Sequence, residues 1–233
     1  MFPLGVLKRK PNLNSSAKFL AHFDGANGST TFTDSSANSV TITTNGTAQL
    51  STGTKKFGTA SLYLPDNSAY CTIPETTANF SGNDFCIEFW VYPVTKQLYG
   101  NIVGHTNAST GVVGFNLQWK SGTDKLRFLS GYAGGAVWTI DVTSTHDVVL
   151  NTWSHIAISR QGQVLRVFIT GVKTLEVNSA STLWAESSLY RFGIGVGAGN
   201  NRFGVGYIDE FRITENNAVY TDNFTPPTAP FTY

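Results

Sequence analysis

Short stretches that alternate apolar and polar residues, separated by turns rich in glycine and asparagine, recur along the 233-residue chain. No stretch of ten residues repeats its apolar residues with a helical period, so helix is limited to a turn or two. Residues 85–92 predict a central strand, because every second residue from Phe85 to Val91 is apolar, and Pro93 is expected to end it. Regular strands without alternating helices predict an all-β protein, an antiparallel two-sheet sandwich.

The remaining predicted strands follow one another without a linker or a repeat, so residues 18–233 are expected to form one domain. These strands are residues 18–24, 40–44, 60–64, 69–73, 100–105, 113–119, 125–130, 136–142, 153–160, 164–170, 172–178 and 203–214.

Residues 1–17 precede the first strand as an N-terminal arm, in which Pro3 and Pro11 flank Lys8-Arg9-Lys10. Two interpretations stay open: a disordered terminus, and a docking peptide for other subunits of a larger assembly. The apolar run Met1-Phe-Pro-Leu-Gly-Val-Leu7 favours the second, since a solvating tail would be more polar. Its apolar residues come before its basic ones, the reverse of a signal peptide, and no run is long enough for membrane insertion.

Charged residues make up only 13% of the chain and the formal net charge is +1. This balance gives no electrostatic case for nucleic acid or an anionic membrane as a partner. Cys71 and Cys86 each lie inside a strand-like run, which predicts two buried thiols and leaves a disulfide as the lesser alternative.

The predicted strand at residues 203–214 carries an ionisable residue where an apolar one is expected. Asp209 shares one face with Val205, Tyr207, Phe211 and Ile213, and that face is predicted to be the core face. A lone buried carboxylate is costly, so Asp209 needs a cation, a backbone donor or an arginine as its partner.

Five stretches, taken in order, carry a resemblance to a known family. They are Phe19-Leu-Ala-His-Phe-Asp-Gly25, Lys56-Phe-Gly-Thr-Ala-Ser-Leu62, Asp84-Phe-Cys-Ile-Glu-Phe-Trp-Val-Tyr92, Trp153-Ser-His-Ile-Ala-Ile-Ser-Arg160 and Tyr207-Ile-Asp-Glu-Phe-Arg-Ile213. Together they resemble the laminin-G-like domains of the concanavalin A-like lectin/glucanase superfamily, over about residues 18–233. The resemblance implies a two-sheet jelly roll with one concave sheet, and functions from sugar binding and adhesion to glycoside hydrolysis, among which the fold does not choose.

The resemblance also implies a structural calcium ion, held by an Asp of the last strand and two backbone carbonyls. The matching positions are Asp209 and the carbonyls of His22 and Gly58, and the neighbouring Asp24 could add a carboxylate. Calcium takes six to eight oxygen ligands, and here it would pin the first strands to the last. The alternative, that Asp209 pairs with an arginine or with backbone N–H groups and no metal, stays open.

Glucanase relatives carry two catalytic carboxylates at i and i+4 of one strand with a third between them, and a retaining pair must approach to about 5–5.5 Å. Asp84 and Glu88 have this spacing, but Cys86 stands between them and a strand would hold them roughly 13 Å apart. No nucleophile motif or zinc spacing is present, and His155 is predicted to be structural. The sequence therefore predicts no catalytic residue and no enzyme, with a glycoside hydrolase as the distant alternative.

Carbohydrate binding needs aromatic faces for sugar CH groups and planar polar side chains for hydroxyls. Residues of both kinds lie in loop-like stretches, where the alternative for each aromatic is packing in the core or its rim: Tyr99, Tyr132, Trp138, Trp184, Asn200 and Arg202, with Asn101, Asn107, Asn116 and Asn201 nearby in sequence.

The C-terminal residues 220–231 resemble the closing segment of family members from bacteriophage virions. We therefore expect a non-catalytic binding or structural module on a virion surface, such as a tail fibre or a capsid decoration. The alternative is an extracellular glycan-binding adhesin unrelated to a virion.

Overall fold

The computed structural model describes residues 17–77, 80, 82–107, 113–131, 138–180, 183, 190–195 and 203–232. Within these ranges the only helical element is a 3₁₀ turn at Glu75–Thr77. The strands are β1 (Ala17–Ala21), β2 (Thr43–Asn45), β3 (Gln49–Ser51), β4 (Ser61–Leu64), β5 (Tyr70–Ile73), β6 (Phe85–Lys96), β7 (Asn101–Asn107), β8 (Val113–Trp119), β9 (Lys125–Ser130), β10 (Ile140–Asp147), β11 (Ser154–Gln161), β12 (Val164–Ile169), β13 (Val172–Asn178), β14 (Tyr190–Ile194) and β15 (Gly204–Glu215).

The strands form two antiparallel sheets, which confirms the predicted sandwich. Sheet A has the order β13-β12-β11-β6-β15-β4-β3, with β1 also paired to β15, and sheet B has the order β10-β9-β8-β7-β14-β5-β2. One apolar core fills the space between them, and Phe85, Ile87, Phe89 and Val91 of β6 belong to it as predicted. Cys71 and Cys86 are free and buried, one in each sheet.

Among the strand predictions that differ from the structure, those of β6 and β10 matter most for the sites described below. Strand β6 continues through Pro93 to Lys96, so the expectation that Pro93 ends it is wrong. Pro93 lies opposite Gly206, where the register between β6 and β15 shifts, and an irregular position tolerates a residue without an N–H group. Strand β10 lies at Ile140–Asp147, later than the predicted residues 136–142.

The outer face of sheet A, meaning the face turned away from the core between the sheets, is partly covered by the C-terminal segment, residues 216–232. Tyr220 and Phe224 of this segment stack on each other at 3.6 Å and pack with Phe168 of β12. Phe231 packs with Trp90 of β6 and Leu20 of β1. Part of sheet A is therefore buried on both faces.

A buried ion pair lies under the C-terminal segment. Oε1 of Glu88 accepts hydrogen bonds from Nε and Nη2 of Arg212 at 3.0 and 2.6 Å. Oε2 accepts from the Tyr220 hydroxyl at 2.8 Å and lies 3.2 Å from Nε2 of His155. Burial by itself would raise the pKa of Glu88, but the hydrogen bond from His155 and the charge of Arg212 hold it below its usual value.

Arg212→Met should reduce the free energy of unfolding by about 3–5 kcal/mol, because it leaves the Glu88 carboxylate buried without its cation. Arg166→Met is the matched control, since Arg166 pairs with Glu176, whose side chain is 45% exposed. This control substitution should reduce the free energy of unfolding by only about 0–1 kcal/mol. Urea denaturation of both variants measures the difference, and equal losses would contradict this account of the buried pair.

Candidate functional site

Asp209 does not face the core between the sheets. A β-bulge shifts the register of β15 against β6 between Asp209 and Arg212, and Glu210 there has a φ of 52°. Ile208 before the bulge and Phe211 after it both belong to the core, so Asp209 faces outward. The prediction that it shares a core face with Phe211 is wrong, because one extra residue in a strand reverses the alternation beyond it.

Backbone amides hold the Asp209 carboxylate. Its Oδ2 accepts hydrogen bonds from the N–H groups of Lys56 and Phe57 at 2.7 and 3.1 Å, and its Oδ1 accepts from the N–H of Glu210 at 2.9 Å. Burial raises the pKa of Asp209 to about 7, although the two amides of the 56–57 turn oppose that rise.

The other predicted metal ligands lie close by. Asp24 accepts hydrogen bonds from the N–H and hydroxyl groups of Thr59, and a Cβ on Gly58 would meet its carboxylate. The imidazole Nδ1 of His22 lies 2.8 and 2.9 Å from the two carboxylate oxygens of Glu210. The sequence therefore identified residues that do converge.

Both carboxylates at this convergence, Asp209 and Asp24, already accept hydrogen bonds from backbone N–H groups. A calcium ion would take six to eight oxygen ligands, of which these two carboxylates could supply only part. Among the described residues, no group of three or more His, Cys, Asp or Glu side chains is placed to hold a metal. The arrangement favours backbone amides as the partner of Asp209, and calcium there stays an untested prediction.

Of the predicted glycan-binding residues, Tyr132, Trp184, Asn200 and Arg202 lie outside the described residues. Tyr99 follows β6 and is 39% exposed; the pKa of Arg127 of β9 is raised by its hydrogen bond to Asp141 first and by the nearby Tyr99 to a smaller degree. Trp138 lies just before β10 and is partly buried.

The outer face of sheet B, turned away from the core, carries a set of polar side chains that we call the polar floor. Leu117 and Phe128 pair across β8 and β9 and face the core, so their neighbours Asn116, Gln118 and Arg127 face outward. Strand pairing places the remaining members beside them. The polar floor is Asn101, Asn116, Gln118, Arg127 and Asp141.

Asn116 is the most unusual member of the polar floor. Its side chain is 4% exposed, and no described residue donates a hydrogen bond to its Oδ1. The facing residue is Gly104, where an added Cβ would lie 2.0 Å from that oxygen. A buried acceptor without a donor costs about 1–3 kcal/mol, which a bound ligand could recover.

A charged pair borders this amide. Arg127 donates from Nε and Nη2 to the two carboxylate oxygens of Asp141 at 2.7 and 2.6 Å. The hydrogen bond from Arg127 lowers the pKa of Asp141, with a smaller effect from Lys120. Lys120 also lines an open cleft of about 440 Å³ at the end of the sandwich, between residues 94–98 and 119–124.

Sequence reasoning grouped Asn101 and Asn116 with the candidate aromatics but missed Gln118, Arg127 and Asp141. Gln118 and Arg127 stand at alternate positions of predicted strands, so the period of two could have placed them on a polar face. Asp141 lies in the overlap of the predicted strand 136–142 and β10, where alternation with the core residue Ile140 could also have placed it on a polar face.

A family model described as the concanavalin A-like lectin/glucanases superfamily matches residues 65–218. No curated protein sequence matches the chain. No helix among the described residues is long and apolar enough to cross a membrane.

Several solved structures are similar in fold. Domain 4 of AbnA, a GH43 extracellular arabinanase from Geobacillus stearothermophilus in complex with arabinotriose, is 21% identical with a TM-score of 0.64 over 86% of this chain and 92% of that one. The binding domain of Paraclostridial Mosquitocidal Protein 1 is 16% identical, TM-score 0.64, over 87% and 49%. The botulinum neurotoxin serotype D ligand-binding domain in complex with N-acetylneuraminic acid is 14% identical, TM-score 0.59, over 91% and 49%. This chain thus spans about half of each toxin domain, and these likenesses show the fold.

The raised pKa of Asp209 predicts a pH dependence of stability. Between about pH 4 and pH 7 this carboxyl is ionised in the unfolded chain but still largely protonated in the folded chain. Its contribution to the free energy of unfolding therefore falls as pH rises through this range. The native chain's free energy of unfolding, minus that of Asp209→Ala, should be largest at about pH 4 and should decrease towards pH 7. Urea denaturation across this range, with and without calcium, measures it. A difference that does not vary with pH would contradict the assignment, and a calcium-dependent one would restore the metal.

Proposed function

Because the chain belongs to the concanavalin A-like lectin/glucanase superfamily, as the match over residues 65–218 shows, we propose that it is a non-catalytic module that binds glycans on the polar floor of sheet B. The observation that carries the proposal is the buried, unpartnered Oδ1 of Asn116. An acceptor held in this state is suited to a ligand hydroxyl.

The rest of the polar floor supplies what a sugar needs. The bidentate pair of Arg127 and Asp141 offers fixed donors and acceptors to neighbouring hydroxyls. Gly104 and Gly193 lie side by side across β7 and β14, and the missing side chain of Gly104 leaves the space that the Asn116 amide occupies. The exposed ring of Tyr99 offers an apolar face for CH groups.

The similar solved structures support the same class of ligand. One neighbour was solved with arabinotriose and another with N-acetylneuraminic acid, and each sugar is a property of that protein alone. The shared fold makes a glycan the first ligand class to try here, without choosing the sugar.

The positions of the carboxylates support the proposal of binding without turnover. Glu88, the one glutamate with a second carboxylate at i−4, is buried in its pair with Arg212 under the C-terminal segment. Asp84 binds the N–H of Gly162 at 2.7 Å. On the polar floor as defined above, Asp141 is held by Arg127, and glycoside hydrolysis needs two carboxyl groups.

We extend the proposal to a place on a virion surface, with glycans of a host cell as ligands. Its support is the sequence resemblance of residues 220–231 to phage virion proteins, together with the arm at residues 1–17. An extracellular adhesin outside a virion is the alternative, and mass spectrometry of purified particles would distinguish the two.

A glycan array followed by calorimetric titration of the best ligand tests the binding site. Asn116→Ala should weaken binding by about tenfold or more, since one hydrogen bond in a dry site is worth about 1.5 kcal/mol. Asn67→Ala, which removes an exposed amide elsewhere, should leave the Kd unchanged. A glycan array on which the chain binds nothing, or equal affinities of Asn116→Ala and Asn67→Ala for the best glycan, would contradict the proposal.

The same bound glycan tests the absence of turnover. Prolonged incubation with the chain should release no new reducing ends above a buffer control. Hydrolysis that disappears in Glu88→Gln would show a catalytic carboxylate and overturn the non-catalytic assignment.

A further inference from the structure

A row of four aromatic side chains crosses the outer face of sheet A beside the C-terminal segment. Tyr63 of β4, Tyr207 of β15 and Tyr92 of β6 are register partners, and Trp153 precedes β11 next to Tyr92. Their ring centroids are 4.7 Å apart for Tyr63 and Tyr207, 5.9 Å for Tyr207 and Tyr92, and 5.5 Å for Tyr92 and Trp153. We call these four residues the aromatic row.

The aromatic row is accessible and its polar atoms are available. All four side chains are partly exposed. Among the described residues, the three tyrosine hydroxyls and the indole N–H of Trp153 have no hydrogen-bond partner. An apolar surface with four such donors is typical of a binding interface, where tyrosine and tryptophan are enriched.

The same sheet face already holds one extended peptide, the chain's own C-terminal segment. Residues 224–231 have no regular secondary structure and contain Pro226, Pro227 and Pro230. Phe224 packs edge-on against His155 at 5.6 Å and Phe168 at 5.4 Å. The main chain is held at its end, where Oε2 of Glu210 accepts the N–H of Phe231 at 2.7 Å.

The ring geometry favours a peptide over a sugar on the aromatic row. Tyr63 and Tyr207 stack nearly parallel, at 19°, so their faces cover each other and only edges and hydroxyls remain for a ligand. The tilts of 74° between Tyr207 and Tyr92 and 58° between Tyr92 and Trp153 leave notches between the rings. Such notches accept proline and aliphatic side chains, while the carbonyls of a polyproline II segment accept hydrogen bonds.

We propose that the aromatic row binds the N-terminal segment, residues 1–16, of a second copy of this chain. Met1-Phe-Pro-Leu-Gly-Val-Leu7 combines a proline with aromatic and aliphatic side chains. Four strands span roughly 14 Å, which matches about five residues of polyproline II. Lys8-Arg9-Lys10 would then lie beyond one end of the row; we place them at the Tyr63 end, because the carboxylate of Asp66 lies near Tyr63.

The position at which the N-terminal segment joins β1 argues that it binds a second copy of the chain and not its own aromatic row. Strand β1 begins at Ala17, which pairs with Thr214, whereas the row crosses β15 at Tyr207. Within one chain the segment would have to pass the C-terminal segment that covers the face between these points. Sixteen residues reach up to about 55 Å, which is ample for a neighbouring molecule. The contact is head-to-tail, so it produces a ring or a filament.

Sedimentation velocity on full-length chains tests the proposal with variants of each side. The row variant is Tyr207→Ser, with Tyr63→Ser as a second, and the segment variant carries Phe2→Ser and Leu4→Ser. The native chain should self-associate with concentration, and each variant alone should do so at least tenfold more weakly. Tyr70→Ser, which removes a partly exposed tyrosine of sheet B, is the matched control and should associate like the native chain. Circular dichroism melts confirm that each variant folds.

Mixing provides the decisive result, because the row variant keeps an intact segment and the segment variant keeps an intact row. The mixture should form one-to-one heterodimers with the native affinity and grow no further. A native chain that stays monomeric, association that survives both variants, or a mixture without heterodimers would each overturn the proposal. A saccharide whose binding is lost in Tyr207→Ser while association is unchanged would assign the row to a sugar instead. Glycan binding at Asn116 is measured separately and does not depend on these outcomes.

Discussion

The buried ion pair of Glu88 and Arg212 is the interaction on which the arrangement of sheet A depends. A carboxylate out of contact with water needs its charge and lone pairs satisfied, and three elements supply the donors: β15 gives Arg212, β11 gives His155 and the C-terminal segment gives Tyr220. The segment must therefore close over the sheet for the pair to be dry. Glu88, the one glutamate with a second carboxylate at i−4, is thereby buried with Arg212, His155 and Tyr220 as its partners.

This closure divides the surface of the sandwich. Where the C-terminal segment covers sheet A, the sheet has two buried faces and is unavailable to ligands. Outside this cover lie the polar floor of sheet B, in which Asn101, Asn116 and Gln118 are buried, and the partly exposed aromatic row of sheet A. They differ in chemistry, since the floor has amides and a charged pair with an unsatisfied acceptor, whereas the row has ring edges and hydroxyl donors. A hydroxyl-rich ligand suits the first, and an extended peptide suits the second.

The bulge at Glu210 shows how one residue changes the chemistry of a site. It directs Asp209 away from the core and onto the amides of Lys56 and Phe57, and it places the Glu210 carboxylate between His22 and the N–H of Phe231. The first strand, an early loop, the last strand and the C-terminus are thus tied together. Backbone amides and a histidine thus contact the carboxylates at the place where the family resemblance predicts a calcium ion.

The sequence by itself determined the features that depend only on residues close together in the chain. Alternation of side chains is local, so the sandwich, the free buried cysteines and the bounds of β8 and β9 could be predicted. Only the tertiary structure decided the continuation of β6 through Pro93, the face of Asp209, the partners of Glu88 and the joining of Asp141 to the polar floor. Each of these depends on the register between strands far apart in the chain, and a shift of one residue, which leaves no mark in the local pattern, moves a side chain to the opposite face.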